Sequence, residues 1–284
     1  MILQPEPLPK EELDFQLSPS RIAKDAMGVL QRHEAETAAL AGRSDLRLTR
    51  DIPYGDGPRL KLDLCQPETG GPHPCLVFIH GGFWQEGSKA GSGFAAAALA
   101  AAGWAHVGVG YTLAPDARLA EILAEVAQAL ATLRRIAPEH GLDPQKLVIA
   151  GHSAGAHLAA ALMAGLGGEA AADTIAGAVL ISGVYELAPI AASYVNDLVG
   201  MTPQDIEALS PLRHQPRRDT PTLILIGGDE AEAFQWQSRT LASAWDSHLS
   251  RLSYVSVPGR DHFDILDVLA QPDGTVAEFL SRIL

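Results

Sequence analysis

Cysteine is scarce in this chain. Only Cys65 and Cys75 occur among 284 residues, and each falls in a predicted strand rather than in a His/Cys cluster. Two isolated cysteines cannot build the disulfide framework of a small secreted domain, and their spacing lacks the pattern of a zinc site. We therefore expect two buried, reduced thiols and no metal.

Basic residues and long apolar runs are also in short supply. Lysine and arginine number 21 against 34 aspartates and glutamates, which gives a formal net charge of −13, and such a surface repels nucleic acid and anionic membranes. No apolar run reaches the roughly 18 residues needed to cross a bilayer. The N-terminus, MILQPEPLPKEELDF, lacks the basic and apolar regions of a secretory signal. We expect a cytoplasmic protein acting on a small molecule, with no nucleic-acid or membrane partner, and leave a homodimer open.

The order of apolar patterns predicts the fold. LRLTRDIPY and RLKLDLC alternate apolar and polar residues, as half-exposed antiparallel strands do. Helical patterns at 91–102, 117–137, 154–166, 232–248 and 275–283 separate most of six further strands, which are short apolar runs typical of strands covered on both faces: CLVFI, AHVGVGY, KLVIAG, AGAVLIS, TLILIGG and LSYVSV. Residues 1–284 should therefore form a single α/β domain, with a doubly wound, mostly parallel eight-stranded sheet that starts with antiparallel strands.

Two segments fall outside this alternation. Residues 1–45 are predicted to form an extended lead and then an amphipathic helix, opened by Ser18 or Ser20 and stopped by Gly42. Residues 184–219 are too long for an ordinary connection, so we expect a small helical cap or substrate-facing insertion there.

The sequence VIAGHSAGAHLAA contains a G-x-S-x-G motif centred on Ser153. The motif follows an apolar strand and opens an alanine-rich helix, which is the context in which a strained turn exposes a nucleophilic serine. The glycines two residues before and after allow the close backbone approach that this turn needs. The pattern therefore favours Ser153 as a nucleophile over a purely structural turn.

A serine nucleophile needs a base and an orienting acid, and in folds of this type the acid follows the serine along the chain and the histidine base comes last. Asp229 comes just after the strand TLILIGG, and His262 comes just after LSYVSV. Both should lie at the carboxyl ends of parallel strands, on the same sheet edge as the serine. Glu230 and Glu232 compete for the role of the acid, and Asp229 is favoured because it is the first carboxylate after the strand.

The other histidines have simpler interpretations. There are ten in the chain. We expect His80 to brace the glycine loop that it opens, while His152 and His157 flank the serine too closely to turn a ring onto its hydroxyl. His262 therefore remains the best candidate for the base.

The segment IHGGFWQE, residues 79–86, resembles the loops whose N–H groups stabilise an oxyanion. We expect the oxyanion hole to combine the N–H groups of Gly82, Phe83 and Ala154. The rings of Phe83 and Trp84 would narrow the acyl side of the site and offer a surface to an aryl leaving group. Simple packing beneath the cap is an equally open alternative.

Taken together, these motifs resemble the kynurenine formamidase (arylformamidase) branch of the α/β-hydrolase superfamily, over most of the chain. The similarity lies in the aromatic loop His80–Trp84, the GHSAGAHL elbow at 151–158 and the Ser-Pro-Ser-Arg segment at 18–21. It extends to Asn196–Gly200 in the insertion and to the Asp-His-Phe run at 261–263. Phe83 departs from the family pattern, which has a tyrosine there, and so lacks a hydroxyl that could bond the substrate or the cap.

The resemblance implies hydrolysis of an aryl formamide such as N-formyl-L-kynurenine, without a metal or organic cofactor. Phe83 and Trp84 would bind the aryl group, with Tyr194, Asn196 and Ser20 as candidates for the amino-acid end of the substrate. One alternative is a carboxylesterase acting on short-chain acyl or aryl esters with the same catalytic residues. The other is a non-catalytic binding protein built on a hydrolase fold.

Overall fold

The computed structural model describes residues 8–283 and contains one eight-stranded sheet. The strands in chain order are β1 (Leu46–Pro53), β2 (Lys61–Pro67), β3 (His73–Ile79), β4 (Ala105–Val109), β5 (Leu142–His152), β6 (Ile175–Ile181), β7 (Thr222–Gly227) and β8 (Leu252–Val257). Their order across the sheet is β1-β2-β4-β3-β5-β6-β7-β8. β2 runs antiparallel to both β1 and β4, and every other pair is parallel. The predicted sheet is thus confirmed.

Burial along the strands follows their position in the sheet. Almost every residue of β3, β4, β6 and β7 is buried, as their apolar runs predict. β8 is different, because none of its six residues is fully buried. The prediction that LSYVSV is covered on both faces is wrong, since β8 is an edge strand with β7 as its one neighbour.

Helices cover both faces of the sheet. They are α1 (Lys10–Gln16), α2 (Pro19–Ile22), α3 (Ala26–Ala39), α4 (Ala96–Ala101), α5 (Leu119–Ile136), α6 (Ala154–Met163), α7 (Glu169–Ala172), α8 (Leu187–Ala191), α9 (Asn196–Val199), α10 (Pro203–Leu209), α11 (Glu232–Trp245) and α12 (Thr275–Ser281). Short 3-10 turns occur at Leu40–Gly42, Lys89–Gly91, Ala137–His140, Pro211–Arg213 and Asp264–Ala270. α5, α6 and α11 bury apolar side chains in one core cluster, α12 buries its side chains in a second, and α4 contributes to the second and to a small third one. No helix within residues 8–283 combines the length and apolar character needed to span a bilayer.

The two segments outside the strand-helix alternation are both helical. Residues 184–219 carry α8, α9 and α10. The lead contains three helices where one was predicted, and its first seven residues lie outside the described part of the chain. The long helix α3 begins after Asp25, whose Oδ1 accepts the N–H of Gly28 at 3.0 Å and so satisfies one of the free donors of the first turn.

Candidate active site

Ser153 occupies the tight turn between β5 and α6. Its backbone has φ 54° and ψ −118°, which is a strained conformation for a residue other than glycine. A Cβ on Gly151 would lie 2.2 Å from the carbonyl oxygen of Gly155, and a Cβ on Gly155 would lie 2.0 Å from that of Ile79. Both motif glycines are therefore required sterically, because the turn brings three backbone segments together without room for side chains.

His262 lies just beyond β8 and is bonded to Glu230. The Nδ1 atom of His262 is 2.6 Å from Oε2 of Glu230, and both side chains are almost completely buried. The other carboxylate oxygen, Oε1, accepts the N–H of Gly227 at 2.7 Å and the hydroxyl of Ser182 at 2.5 Å. Three donors thus hold Glu230 in place, and the Nδ1 proton of His262 points at the carboxylate. The Nε2 atom is left as the proton acceptor of the ring.

The structure corrects the sequence prediction for the acid. Asp229 forms no hydrogen bond with His262; its Oδ2 atom accepts a hydrogen bond from Nζ of Lys24 at 2.7 Å, and its side chain is 44% exposed. Glu232 is also excluded, because it is exposed and paired with Arg239. The turn after β7 bonds the N–H of Glu230 to the carbonyl of Gly227 at 3.3 Å, and this reversal directs the side chain of Glu230, the second carboxylate, into the site.

Ser153 and His262 line one open cavity of about 530 Å³, a size typical of small-molecule sites. The glycine loop lies against the serine, since a Cβ on Gly81 would be 3.0 Å from Cβ of Ser153. Within residues 8–283, no acceptor takes the N–H groups of Gly82, Phe83 or Ala154. These three donors therefore remain available beside the serine hydroxyl, as an oxyanion hole requires.

The two aromatic residues of the loop have different surroundings. Phe83 lines the cavity. Trp84 is 0% exposed and packs edge-on against His157, with ring centroids 5.0 Å apart. The prediction that Trp84 binds substrate is therefore wrong. Consecutive side chains of the loop point in different directions, and the second ring enters the core.

Tyr194 and Asn196, the two substrate-binding residues predicted in the insertion, lie in different surroundings. Tyr194 lines the cavity, and its hydroxyl donates to the carbonyl of Leu17 at 3.0 Å. Asn196 does not line it. Oδ1 of Asn196 accepts the N–H of Met201 at 2.6 Å, and its Nδ2 donates to the carbonyl of the same residue. The prediction for Asn196 is wrong because both ends of its amide are used to close a turn within the insertion.

Three other histidines near the serine are buried and neutral. Burial lowers the pKa of His80 and of His157 to about 4, and holds that of His152 well below its usual range. His80 stacks on Tyr111 with centroids 4.2 Å apart and bonds the carbonyl of Gly81, which is the bracing role predicted for it. His152 donates its Nε2 proton to the carbonyl of His262 at 2.8 Å and so supports the loop that carries the base.

Most of the roof of the cavity comes from the N-terminal lead, of which only Ser20 was predicted to bind substrate. The insertion contributes Tyr194, whereas the lead contributes Pro19, Ser20, Ala26, Met27, Leu30, His33 and Glu34. Pro19, Ile22 and Ala23 face the same small void as Glu230 and His262, so this part of the lead covers the bonded pair.

Lys24 fastens the lead to the loops that carry the acid and the base. Its backbone N–H donates to Oδ2 of Asp261 at 2.9 Å. Its Nζ atom bonds both Asp229 and the carbonyl of Gly259, at 2.7 and 2.9 Å. Lys24 therefore binds Asp229 and Asp261, the residues that directly precede Glu230 and His262 in the chain.

Neither of the two thiols lines this cavity. Cys65 and Cys75 are both buried and unpaired, as predicted. Burial raises the pKa of the Cys65 thiol to about 11. Within residues 8–283, no three His, Cys, Asp or Glu side chains are placed to hold a metal ion.

Comparison with known proteins agrees with this geometry. The BD-FAE family model matches residues 62–245. Kynurenine formamidase of Danio rerio is 30% identical over 287 residues, covering 97% of this chain and 96% of that protein. Esterase LipC of Mycobacterium tuberculosis is 29% identical over 248 residues, covering 77% of this chain and 60% of that protein.

Solved structures resemble the whole fold. A crystal structure from Silicibacter sp. TM1040, described as a thioesterase, superimposes with a TM-score of 0.84 at 30% identity, over 95% of this chain and 99% of that chain. The sheet order, the serine elbow and the near full-length similarity agree with one another. The chain therefore belongs to the BD-FAE family and to the kynurenine formamidase branch of the α/β-hydrolase superfamily.

Proposed function

We propose that this hydrolase cleaves aryl formamides, with N-formyl-L-kynurenine as its substrate and kynurenine and formate as its products. The observation that carries the proposal is the 2.6 Å contact between His262 and Glu230 at a cavity that Ser153 also lines. A serine elbow, an oriented imidazole and a buried carboxylate are the three parts of a hydrolytic triad. Kinship with kynurenine formamidases over almost the whole chain supports the choice of substrate.

The chemistry proceeds in two steps. Ser153 Oγ attacks the formyl carbon while Nε2 of His262 takes the hydroxyl proton, and Glu230 stabilises the imidazolium that forms. The C–N bond then breaks as His262 passes that proton to the departing aniline nitrogen, leaving a formyl ester on Ser153. Water, deprotonated by His262, attacks this ester. The C–Oγ bond breaks as His262 passes this proton to the serine oxygen, and formic acid leaves and ionises to formate in solvent.

The oxyanion of both tetrahedral intermediates lies near the donors beside Ser153. The free N–H groups of Gly82, Phe83 and Ala154 are preorganised, so they stabilise the developing charge without reorganising. Phe83 contributes its backbone N–H to this group of donors, and its side chain is not needed there. The ring of Phe83 lines the cavity, where an aryl leaving group can pack against it. A formyl group needs almost no acyl pocket, which suits a loop that carries a bulky ring.

The second candidate function is hydrolysis of short-chain acyl or aryl esters by the same triad, and similarity to Esterase LipC favours it. The two candidates differ in how the acyl group is accommodated. The test compares kcat/KM for a formanilide with kcat/KM for acetyl, propionyl and butyryl esters of a phenol. The formamidase proposal expects formyl to be the preferred acyl group. A steady rise in kcat/KM with acyl length would favour the esterase instead.

We also propose a cytoplasmic location and a small-molecule substrate, with no nucleic-acid or membrane partner. The net charge of −13 and the two unpaired thiols support this proposal. Cell fractionation with an antibody against the protein tests the location, and recovery in the membrane pellet would contradict it.

A further inference from the structure

The glycine loop has an unfavourable backbone conformation at the residues that supply oxyanion donors. Gly82, Phe83 and Trp84 have φ values of 107°, 48° and 61°, so three consecutive residues lie in the left-handed region. Glycine adopts this region without a steric penalty, whereas Phe83 and Trp84 both carry a β-carbon that opposes it. Contacts with other residues therefore have to hold the loop in the conformation that leaves the N–H of Phe83 free.

One peptide group of the loop sets the direction of the Phe83 N–H. The carbonyl of Gly82 and the N–H of Phe83 belong to the same planar trans peptide, so they point in opposite directions. The carbonyl accepts the backbone N–H of Gln85 at 2.8 Å and that of Glu86 at 2.9 Å. Because the peptide is planar, bonds that fix its oxygen also fix its N–H. The backbone of Gln85 and Glu86 thus determines where the Phe83 donor points.

The side chain of Gln85 connects that backbone to the insertion. Its Nε2 atom donates to the carbonyl of Val195 at 2.6 Å. Val195 is completely buried. The residue before it, Tyr194, is bonded to the lead twice: its N–H donates to Oδ1 of Asp14 at 2.9 Å, and its hydroxyl donates to the carbonyl of Leu17 at 3.0 Å. Gln85 is therefore attached to a segment that is itself held in place.

Trp84 is held by separate contacts. Its ring is fully buried, and its carbonyl accepts the N–H of Ala114 at 2.8 Å. These contacts attach the loop to the core without acting on the carbonyl of Gly82. Loss of the Gln85 side-chain bond should therefore loosen the turn and leave the rest of the fold intact.

We infer that Gln85 is a positioning residue for the oxyanion hole, because its bond to Val195 holds the turn that directs the N–H of Phe83. The inference rests on the proposed function, since it concerns the same hydrolytic site. Without this bond the peptide between Gly82 and Phe83 can rotate, because Gly82 tolerates many conformations and Phe83 is released from the left-handed region. The N–H of Phe83 then turns away from the oxyanion, and the transition state loses stabilisation while substrate binding is kept.

The variant Gln85→Met tests this role, because it removes the donor and keeps an unbranched side chain of similar length. We expect kcat for a formanilide to fall on the order of tenfold with KM within about twofold, since complete removal of an oxyanion donor costs about 10²–10³ in kcat and a displaced donor costs less. Gln128→Met is the matched control: Nε2 of Gln128 also donates to a backbone carbonyl, that of Tyr54 at 2.8 Å, and Gln128 does not line the cavity. An unchanged kcat, an equal loss in the control, or a rise in KM alone would overturn the inference.

A boronic acid gives a second readout that a purely structural role would not change. Phenylboronic acid forms a bond between its boron and Oγ of Ser153 while His262 takes the hydroxyl proton, and the tetrahedral boronate carries negative charge beside the oxyanion donors, as the intermediate does. We expect its inhibition constant to rise on the order of tenfold in Gln85→Met and to stay within about twofold in Gln128→Met. Gln85→Glu keeps the size of the side chain but cannot donate when ionised, so it should give the same increase. An inhibition constant unchanged in both Gln85 variants would contradict the assignment.

The boronate measurement also separates this inference from the proposed function. If the protein hydrolyses phenyl acetate but not formanilides, the formamidase proposal fails. The inhibition constants of the boronic acid, together with kcat for phenyl acetate, then still decide whether Gln85 positions the oxyanion hole.

Discussion

Replacing Glu230 or its neighbour Asp229 by the corresponding amide separates the two candidate acids. In Glu230→Gln, the amide oxygen should stay where Gly227 N–H and Ser182 Oγ–H donate, because both of these groups need an acceptor. The amide NH2 then faces Nδ1 of His262. This reverses the tautomer of the imidazole, so that Nδ1 accepts and Nε2 carries the proton. A protonated Nε2 cannot take the proton of Ser153.

Because His262 then has no proton acceptor at Nε2, we expect a large loss of kcat. Removing the orienting acid of a triad while keeping its shape costs about 10⁴ in kcat, or about 5 kcal/mol of transition-state stabilisation. Asp229→Asn should retain kcat within about fivefold, because this side chain is half-exposed and only contributes to an exposed ion pair with Lys24. The two variants change the same functional group at adjacent positions, so each is the control for the other.

The assay follows the absorbance of kynurenine released from N-formyl-L-kynurenine, with thermal melting of each variant to confirm that it is folded. We expect kcat to fall by about three to four orders of magnitude in Glu230→Gln. Glu230 would not be the acid if Asp229→Asn lost most of the activity while Glu230→Gln kept it. In that case the hydrogen bond between Glu230 and His262 would not be the one used in catalysis.

Three further substitutions test the surroundings of the triad. Phe83→Ala should lower kcat/KM about fivefold to tenfold for aryl formamides and less for small esters, since its ring packs against the aryl group; equal losses on both substrates would contradict this. Trp84→Ala should lower the free energy of unfolding in urea by about 3–5 kcal/mol, because the ring is fully buried; a loss below about 1 kcal/mol would show that the site is not packed as described. Lys24→Met should lower kcat about twofold to fivefold by loosening the lead over Glu230 and His262, whereas Lys24→Arg should not. Lys10→Met, which breaks another exposed ion pair in the lead, is the control for Lys24, and an equal loss there would argue against a specific role.

Much of the sheet is predictable from the sequence because its signals are local. Apolar runs of strand length alternate with helical patterns, and the strand-turn-helix context of Ser153 depends on glycines only two residues away. The position of His262 follows from the chain order of catalytic residues in this fold. The edge position of β8 could not be predicted in this way, because it depends on which strands are neighbours and not on their composition.

The choices between adjacent residues required the structure. Asp229 and Glu230 differ by one position, and the turn back to Gly227 decides which carboxylate enters the site. Phe83 and Trp84 likewise have nearly the same chemistry, but one lines the cavity and the other packs in the core. No periodic pattern exists in such turns, so hydrophobicity and spacing cannot assign the direction of a single side chain.

Apart from Ser20, the residues of the lead that line the cavity could not be predicted, for a different reason. Lys24 bonds residues more than two hundred positions away, at Asp229, Gly259 and Asp261. These contacts join exposed or polar groups, which leave no apolar pattern in the sequence. Hydrophobic patterning therefore does not reveal that the lead covers Glu230 and His262.

The most direct test of the central claim is the rate of N-formyl-L-kynurenine hydrolysis by the purified protein and by its Ser153→Ala variant, measured side by side. We expect efficient release of kynurenine and formate by the natural protein, and loss of nearly all of this activity in the variant, with an unchanged melting temperature. Turnover that survives in the Ser153→Ala variant would rule out Ser153 as the nucleophile. No turnover by the natural protein, while it hydrolyses short aryl esters, would rule out N-formyl-L-kynurenine as the substrate.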